Sequence, residues 1–493
     1  MSVIISLYCI CAVLLTVYGI NCHVLTRVFR TRYLARQEND RRFISEYYGG
    51  RSPADGMAHV AGRLPVVTTQ LPIFNERNVA ERLIDAVAAF RYPAGKHEIQ
   101  VLDDSTDETR DMVARKVADL RSRGVDIRHI TRRVRTGFKA GALREGLAQA
   151  RGEFTAIFDA DFVPPPDFLL RAIPHFLAKP ELGFVQGRWG HLNRGESLVT
   201  RLQSIGINGH FMIEQSARNS AGWFLNFNGT AGIFRNRAIL DAGNWQDDTL
   251  TEDMDLSYRI QLAGWHGHYL VDLVAPAEIP CNINDFKSQQ FRWAKGSTQT
   301  AIKLLPRIMA SGASPIAKIQ AILHLTHYAV HPLMLYLALM AGPVLLSGEL
   351  RLAPIVFFCF GWVLLASCSG PSRMYFAAER SLSSNLLKTL MLLPAMIGFG
   401  CGLAINNSRA VFEAVIGRKS GFIRTPKKGG GRRLYAAAKS RLFFLELLVG
   451  LWCLAGTVIY FSARHYLVGH FLFAYAAGFL CIGSLSWLHG RRS

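Results

Sequence analysis

The sequence predicts an α/β domain with a mixed, mainly parallel sheet, joined to an α-helical membrane region. Three observations predict it: short β-rich runs alternate with helical patterns in the first half, long apolar runs occupy the second half, and another apolar run opens the chain. Half of the 493 residues are hydrophobic and only 19% are charged. This composition excludes a disordered chain and disfavours a purely soluble enzyme.

The opening apolar run extends from about residue 4 to residue 20 and is followed by an arginine-rich stretch that begins at Arg27. No basic stretch precedes the run and no small-residue cleavage site closes it, so residues 1–27 are predicted to form an uncleaved transmembrane anchor. The positive-inside rule then places the domain at 28–310 in the cytoplasm. We expect an integral, multi-pass membrane protein whose soluble domain is cytoplasmic.

Residues 311–493 are predicted to contain membrane helices. If all of their apolar runs crossed the membrane, the positive-inside rule would be violated. The segment from Arg409 to Arg441 carries ten basic residues against one acid, Glu413. If the apolar run at 386–406 spans, this segment lies outside, against the charge rule. If that run re-enters or lies in the interface, the segment is cytoplasmic; we expect this second arrangement, with five crossings. The apolar runs lie at about 319–346, 352–371, 386–406, 442–463 and 467–488.

The net charge of +20 is compatible with nucleic acid or with an anionic membrane face as a partner. Because the basic residues concentrate beside the apolar runs, the lipid bilayer is the predicted partner and nucleic acid is not. A nucleic-acid binder is therefore the weakest of the functional classes.

The soluble region alternates β-rich runs with helical patterns. Strands separated by helices form βαβ units, which build a parallel sheet, and ligands bind such sheets at the carboxyl ends of the strands. Acidic or polar residues follow three of the strands. The predicted strands are 66–69, 99–103, 127–130 and 154–159, and the predicted helices are 78–90, 107–122 and 139–150.

Asp159 and Asp161 close the last of these strands and are predicted to point the same way. Neither common glycine-rich phosphate loop is present, so a bound diphosphate needs another counter-charge. Two carboxylates suit Mg²⁺ or Mn²⁺, which bind few carboxylates and complete their shell with phosphate oxygens. An ordinary Asp-rich turn is the alternative.

Two further motifs predict contacts with a nucleotide. In Asp103-Asp104, one carboxylate is expected to accept hydrogen bonds from a nucleobase or ribose, while the other caps the following helix. Lys139 begins a helix, where its charge and the free amides suit a phosphate. A plain helix cap is the structural alternative for one of the two aspartates.

The segment Thr251-Glu252-Asp253 opens a predicted helix. Asp253 is predicted to be a general base that takes a proton from an attacking hydroxyl. Helix capping by Thr251, with acids in the first turn, is the alternative.

Gln289, Arg292 and Trp293 share one face of a predicted helix. An indole stacks on a pyranose face and a guanidinium neutralises phosphate, so this face suits a sugar and a diphosphate. An interfacial amphipathic helix is the alternative, and both interpretations are compatible.

Four of these motifs, taken in chain order, resemble the motifs of the processive members of glycosyltransferase family 2, which include the cellulose, chitin and hyaluronan synthases. They are Asp103-Asp104, Asp159-x-Asp161, Thr251-Glu252-Asp253 and Gln289-x-x-Arg292-Trp293. The likeness covers about residues 60–310 and continues through membrane segments to about 430. Three stretches, 227–232, 247–259 and 286–290, are most similar to cellulose-synthase-like A proteins and bacterial glucomannan 4-beta-mannosyltransferases.

The resemblance implies a GT-A fold, an inverting mechanism and a nucleotide-sugar donor. It assigns the catalytic base to Asp253 and the metal to Asp159 and Asp161. It also implies a cytoplasmic gating loop at about 408–441 that reaches over the nucleotide. The implied substrate-binding residues are Asp103, Asp104, Lys139, Asp159, Glu252, Gln289, Arg292, Trp293, Thr425 and Lys427.

The expected function is transfer of a hexosyl unit from GDP-mannose or UDP-glucose onto a growing β-linked polysaccharide, processively and with export. A single transfer to a lipid acceptor is the alternative within enzymes. A transporter or a sugar-binding protein without catalysis is the alternative from another class, and it predicts no release of nucleoside diphosphate.

Overall fold

The computed structural model describes residues 3–346, 354–382, 385–418, 429 and 442–491. Within these ranges, seven strands form one sheet in the order β3-β2-β1-β4-β6-β5-β7. β6 is antiparallel to both of its neighbours and the remaining pairs are parallel, which confirms the predicted mixed, mainly parallel sheet. The strands are β1 Val67–Ile73, β2 His97–Asp103, β3 Ile127–Thr131, β4 Phe154–Ile157, β5 Leu182–His191, β6 Gly232–Arg235 and β7 His266–Ala277.

Helices cover both faces of the sheet because each of them buries an apolar stripe. In α3, for example, Leu83, Ile84 and Val87 recur at helical spacing and are fully buried. The three predicted helices between the first strands are confirmed as α3, α4 and α5. The first eleven helices are α1 Val3–Tyr47, α2 Pro53–Val60, α3 Ala80–Ala88, α4 Thr109–Ser122, α5 Phe138–Ala148, α6 Phe168–Ala178, α7 Leu198–Asn208, α8 Ser216–Ala221, α9 Asn236–Asp241, α10 Glu252–Leu262 and α11 Ile283–Ala310, with a π-helical turn at Gly209–Gln215.

β4 ends two residues earlier than the sequence predicts. Its ladders to β1 and β6 stop at Ile157, and the amide of Asp159 donates instead to the Thr230 hydroxyl at 2.9 Å. The predicted strand end at residue 159 is therefore wrong, and Asp159 and Asp161 lie on the loop that leaves the carboxyl end of the strand. This loop is where a parallel sheet presents groups to a ligand.

The N-terminal apolar run continues without a break into the soluble domain, as part of the single helix α1. At its far end, Gln37 and Arg41 both donate to the carboxylate of Asp272 on β7, at 2.7 and 2.6 Å. The hydroxyl of Tyr48 donates to the Leu170 carbonyl of α6 at 2.8 Å. The predicted anchor and the domain are therefore joined by a continuous helix whose end is fixed to the sheet.

From Pro315 onward, the residues that the structure describes are mainly helical and apolar, as predicted. Among the described residues, α1, α17 and α18 are long and apolar enough to cross a membrane. Two bent pairs qualify together, α12 with the following helix at 51° and α15 with α16 at 42°, so up to five spans fit by length and composition. These helices are α12 Pro315–Leu325, a 3₁₀ turn His327–Ala329, α13 Val330–Leu346, α14 Pro354–Ser381, α15 Leu386–Gly402, α16 Ala404–Val415, α17 Phe443–Ser462 and α18 Tyr466–Arg491.

The predicted re-entrant or interfacial run at 386–406 corresponds to α15 and the start of α16. Its bend lies at Leu403, between two helices that are each shorter than a full crossing. The topology with five crossings stays a prediction, since the bend fits both a broken span and a re-entrant segment.

Helix α11 joins the sheet domain to these apolar helices through buried ion pairs. The Lys287 ammonium lies 2.5 Å from the Glu446 carboxylate of α17, and Lys295 lies 3.0 Å from Glu413 of α16. The Asn406 amide of α16 donates to the carbonyl of Lys287 at 2.9 Å. The helix that carries Gln289, Arg292 and Trp293 is therefore fixed to the membrane region on one side.

Candidate functional site

A polar cavity of about 180 Å³ lies at the carboxyl ends of the central strands. It is bounded by the loops after β1, β2 and β4, by the end of β5, and by α10 and α11. Residues that are far apart in the sequence therefore meet in one place. The predicted site residues that line it are Asp104, Lys139, Asp159, Asp161, Glu252, Asp253, Gln289, Arg292 and Trp293.

Lys139 lies at the centre of this cavity. Its ammonium donates to the Asp159 carboxylate at 2.5 Å and to the Gly229 carbonyl at 2.9 Å, and it lies 3.9 Å from the carboxylate of Glu252. Although burial opposes the charge, Asp159 and Glu252 raise the pKa of Lys139 above its ordinary value. A permanent cation is therefore held among the acids of the cavity.

Glu252 and Asp253 begin α10 and face the same cavity. Burial raises the pKa of both carboxyls, and the charge of Glu252 adds to the effect on Asp253, whose pKa rises to about 7. The Thr251 side chain does not cap the helix, because it contacts the Thr300 hydroxyl of α11 at 3.3 Å instead. The predicted capping alternative is therefore wrong for Thr251, and Asp253 is suited to accept a proton near neutral pH.

Asp255, two residues further on, points away from the cavity. Its carboxylate is fully buried against Arg259 at 2.7 Å and Lys303 at 2.9 Å. Of the two aspartates in this helix, only Asp253 lines the cavity.

The loop from Asn228 to Ala231 forms the floor of the site. Gly229 has a φ of +78°, and a Cβ placed there would lie 2.9 Å from the Asp253 carboxylate and 3.5 Å from the Lys139 ammonium. Thr230 accepts the amide of Asp159 through its hydroxyl. The sequence marks this loop by its resemblance to mannosyltransferases, but neither its glycine nor its threonine predicts these contacts.

Replacing Gly229 by alanine is expected to lower activity roughly 10- to 100-fold, because the new methyl group displaces Asp253 from a site in which shifts of about 1 Å cost that much. Gly264→Ala is the matched control, since Gly264 has a φ of +95° but nothing within 4 Å of the added Cβ. Steady-state rates of both purified variants test this. Equal losses of activity would show that backbone strain, and not the approach to Asp253, is responsible.

The end of the cavity beside β1 and β2 carries a cluster of charged and aromatic groups. Arg132 contacts the Asp104 carboxylate at 2.5 Å and Arg135 contacts it at 3.7 Å, while the Arg135 guanidinium stacks 3.5 Å from the ring of Phe74. The two arginines and the phenylalanine are functional candidates that sequence analysis missed. A flat cation on an aromatic ring provides a surface suited to a nucleobase.

Asp103 does not line the cavity. It is buried, accepts the amide of Ser105 at 2.8 Å and lies 2.9 Å from the imidazole of His129. It does not cap the next helix either, since α4 begins at Thr109 and has no side-chain cap. The structure thus separates the two acids, with Asp104 facing the site and Asp103 fixing the turn behind it.

The opposite end of the cavity is formed by α11, β5 and β7. Burial lowers the pKa of the Arg292 guanidinium, while the acids of the cavity act in the other direction, Glu252 most strongly. The indole of Trp293 lies 6.4 Å from that of Trp189 on β5. Trp189 lines the cavity but belongs to no motif that sequence analysis singled out.

The donor set at this site fits a magnesium or manganese ion. The ligands available at Asp159 and Asp161 are carboxylate oxygens, which hard divalent cations prefer, while His191, which also lines the cavity, lies 2.9 Å from the Asn208 amide oxygen. One oxygen of Asp159 is already held by Lys139, so these residues supply only part of a coordination shell. Asp159 and Asp161 would hold the ion, with diphosphate oxygens completing its shell.

Thr425 and Lys427 lie outside the described residues, so the structure does not place these two predicted contacts. Gly429, which follows them closely in the sequence, is described. Its amide donates to the carboxylate of Glu278 at 3.0 Å, and Glu278 lines the cavity.

A second cavity, of about 340 Å³, lies between α1, α6 and β7. Beside it, Asp40, His175 and His268 place their ligand atoms within 4.8 Å of one another. However, a guanidinium nitrogen of Arg36 lies 2.9 Å from Nδ1 of His268. A cation in this group would face that arginine, so we interpret the cluster as packing between α1 and the sheet domain.

Comparison with known proteins gives matches along most of the chain. The model of the family "Glycosyltransferase like family 2" matches residues 65–296. Glucomannan 4-beta-mannosyltransferase 1 from Cyamopsis tetragonoloba is 32% identical over 438 residues, which cover 85% of this chain and 81% of that protein. Glucomannan 4-beta-mannosyltransferase 7 from Arabidopsis thaliana is 40% identical over 275 residues, covering 55% of this chain and 50% of its own length. The chain thus spans about half of the length of this second relative.

Among solved structures, one similar chain is described as "Mannosyltransferase PcManGT from Pyrobaculum calidifontis in complex with GDP-Man and Mn2+". It is 20% identical, with a TM-score of 0.48, and the match covers 82% of this chain and all of that one.

Proposed function

The chain belongs to glycosyltransferase family 2, and from this premise we propose that it is a membrane-bound, inverting hexosyltransferase that extends a β-linked polysaccharide. One observation supports the proposal above all others: Asp161, Asp253 and Trp293, from three distant parts of the sequence, line one cavity. A carboxylate pair, a base and an aromatic platform are the groups that a sugar transfer from a nucleoside diphosphate needs.

The donor nucleotide is proposed to occupy the end of the cavity beside β1 and β2. Its base would lie against the Phe74 and Arg135 pair, with Asp104 accepting a hydrogen bond from the base or ribose. Mannose is the sugar that the names of the curated relatives suggest, so GDP-mannose is the first choice of donor and UDP-glucose the second.

The diphosphate is proposed to lie between Lys139 and Arg292, beside Asp159 and Asp161. A bound Mg²⁺ or Mn²⁺ supplies Lewis acidity toward the phosphate oxygens. Lys139 and Arg292 stabilise the negative charge that grows on the diphosphate as its bond to the anomeric carbon breaks. Because burial places both cations in a medium of low dielectric, their attraction for that charge is stronger than at a surface.

Asp253 is proposed to accept the proton of the acceptor hydroxyl. As the proton moves to the carboxylate, the hydroxyl oxygen attacks the anomeric carbon from the side opposite the diphosphate. One glycosidic bond forms, one bond to phosphate breaks, and the nucleoside diphosphate leaves. The indole of Trp293 would hold the terminal sugar of the acceptor, with Gln289 beside it.

Membranes that contain the full chain test the donor and the metal together. The membranes are given radiolabelled GDP-mannose and radiolabelled UDP-glucose in separate reactions. Label from GDP-mannose is expected to be transferred when Mg²⁺ or Mn²⁺ is present, and the transfer is expected to stop when EDTA is added. Transfer from UDP-glucose alone would replace the proposed donor. No release of nucleoside diphosphate from either donor would favour a transporter or a sugar-binding protein.

The acceptor is proposed to be the growing polymer itself, exported through the membrane helices from a cytoplasmic active site. The two buried ion pairs between α11 and the membrane region support this, because they hold Trp293 beside those helices. Product length provides the measurement: a long insoluble polymer is expected, whereas a single labelled sugar on a lipid would establish the alternative acceptor.

A further inference from the structure

The indole of Trp189 is the feature that the proposed mechanism leaves without a role. Trp189 lies on β5, lines the same cavity as Trp293, and places its ring 6.4 Å from that of Trp293 at an angle of 52°. Among the described residues, these are the two tryptophans of the cavity lining.

The order of the strands determines which end of the cavity Trp189 occupies. Asp104 follows β2, the two metal-binding acids follow β4, and Trp189 lies on β5, which β6 separates from β4. The nucleotide end and Trp189 are thus on opposite sides of the Asp159–Asp161 loop. Trp189 is therefore placed on the acceptor side.

This side of the cavity is fixed to the membrane region. Beyond Trp189, the imidazole of His191 lies 2.9 Å from the Asn208 amide oxygen, and the amide nitrogen of Asn208 donates to Glu379 of α14 at 2.7 Å. Trp293 lies on α11, which is held by α16 and α17. Both indoles therefore lie on elements that are held to the apolar helices.

The ring of Trp189 is held in place by its neighbours. Its ring centroid lies 5.3 Å from that of Phe162, in an edge-on arrangement, and 5.1 Å from that of Phe211, at an angle of 32°. Its indole nitrogen is buried and has no hydrogen-bond partner among the described residues, so the ring presents carbon to the cavity. A rigid hydrocarbon face is the surface on which the axial C–H groups of a pyranose pack.

We propose that Trp189 forms a second acceptor subsite, which binds the sugar next to the terminal one on Trp293. The ligand is a β-linked hexopyranose chain, two neighbouring sugars of which would lie on the two indoles, whose ring centroids are 6.4 Å apart. This proposal rests on the proposed function, since it needs an acceptor in the cavity. It makes Trp189 the residue through which the enzyme favours an oligomer over a single sugar.

Acceptors of increasing length test the second subsite. Purified full-length wild type and the Trp189→Leu and Trp189→Phe variants are given donor and metal with methyl β-mannoside or with β-1,4-linked oligosaccharides of two to five mannose units. Wild type is expected to use a disaccharide better than the monosaccharide. For the disaccharide and longer acceptors, Trp189→Leu should lower kcat/KM roughly 10-fold, which corresponds to the loss of about one aromatic contact. For the monosaccharide, kcat/KM should fall less than about 2-fold.

Three controls separate this role from a structural one. Trp189→Phe keeps an aromatic face and should recover most of the preference for longer acceptors. Trp265→Leu removes a half-buried indole that does not line the cavity and should leave the preference unchanged. The release of nucleoside diphosphate to water, without any acceptor, reports whether each variant still binds and activates its donor.

The outcomes distinguish this inference from the proposed function. If wild type releases no nucleoside diphosphate with any acceptor or with water, the proposed function fails. If wild type transfers sugar but shows no preference for the disaccharide, the second subsite is wrong. It is equally wrong if Trp189→Leu affects the monosaccharide and the longer acceptors by the same factor, since that result indicates a merely structural tryptophan.

Discussion

Replacing Asp253 by asparagine is expected to reduce sugar transfer about 10²- to 10⁴-fold, the usual contribution of a positioned general base. Asparagine keeps the size and the polarity of the side chain but cannot accept the proton of the acceptor hydroxyl. Donor affinity should remain nearly unchanged, because Lys139 and Arg292 carry the diphosphate contacts. Initial rates, together with equilibrium binding of the donor to the same protein, measure both quantities.

The matched control for Asp253→Asn is Asp255→Asn in the same helix. Asp255 is buried against Arg259 and Lys303 and does not line the cavity, so its loss should lower the melting temperature. The activity of the folded fraction should stay within about twofold of wild type, since Asp255 does not line the cavity. Full activity of Asp253→Asn would reject Asp253 as the base.

The raised pKa of Asp253 gives the same assignment a pH signature. Burial, with Glu252 beside it, raises the pKa to about 7, so the carboxylate is mostly protonated below this pH and cannot act as a base. Activity is therefore expected to fall as the pH decreases through about 7. At pH 8 the Asp253 carboxylate is ionised, and its raised pKa means that this charge destabilises the folded protein. Asp253→Asn removes the charge, so its melting temperature at pH 8 should be no lower than that of wild type. A rate that is flat between pH 5 and 8 would contradict the assignment.

Replacing Lys287 by methionine is expected to cost about 3–5 kcal/mol of stability, because it leaves the Glu446 carboxylate buried without its partner. The two side chains are 3% and 0% exposed, and the Lys287 ammonium also contacts the Ser486 hydroxyl of α18 at 3.2 Å. Since α11 carries Arg292 and Trp293, activity should fall as well. Thermal unfolding of the full chain in detergent measures the change in stability.

Two comparisons make the Lys287 result specific. The double variant Lys287→Met with Glu446→Leu removes both charges and should recover most of the lost stability. Arg123→Met breaks an exposed pair with Asp119 in α4, at 68% and 44% exposure, and should cost at most about 0.5 kcal/mol. If Lys287→Met were no more destabilising than Arg123→Met, the pair would not hold α11 on the membrane region.

Much of the fold can be predicted from the sequence, because local patterns of apolar residues determine most of its strands and helices. The apolar strands and the helices between them are each short enough for their periodicity to be read directly, and α3, α4 and α5 differ from their predicted limits by at most two residues. The carboxyl ends of β1 and β4 are predicted less well, because they depend on pairing with strands elsewhere in the sequence: β1 continues four residues beyond its predicted end at 69, and β4 stops two residues before its predicted end at 159. β4 stops at Ile157, where its pairing with Gly232 of β6 begins, while β1 continues to Ile73 beside β2.

The residues of the candidate site also fall into two groups, those that short sequence motifs predict and those that only the tertiary structure reveals. Asp253 and Trp293 belong to short motifs whose residue types already indicate their chemistry. The separation of Asp103 from Asp104 depends on His129 and Arg132, which a neighbouring strand and loop bring to opposite sides of one turn. Trp189 and Gly229 gave no such signal, because their importance comes from the packing of β5 and of a loop against groups that only the tertiary structure brings near.

The anomeric configuration of the new linkage tests the central claim most directly. A single displacement, with Asp253 as base on one side of the sugar and the diphosphate on the other, inverts the α-linked donor. NMR of the product made from a disaccharide acceptor is therefore expected to show only a β-linkage, cleavable by a β-mannanase. An α-linked product would require retention, and the arrangement of base, donor and acceptor proposed for this cavity would then be wrong.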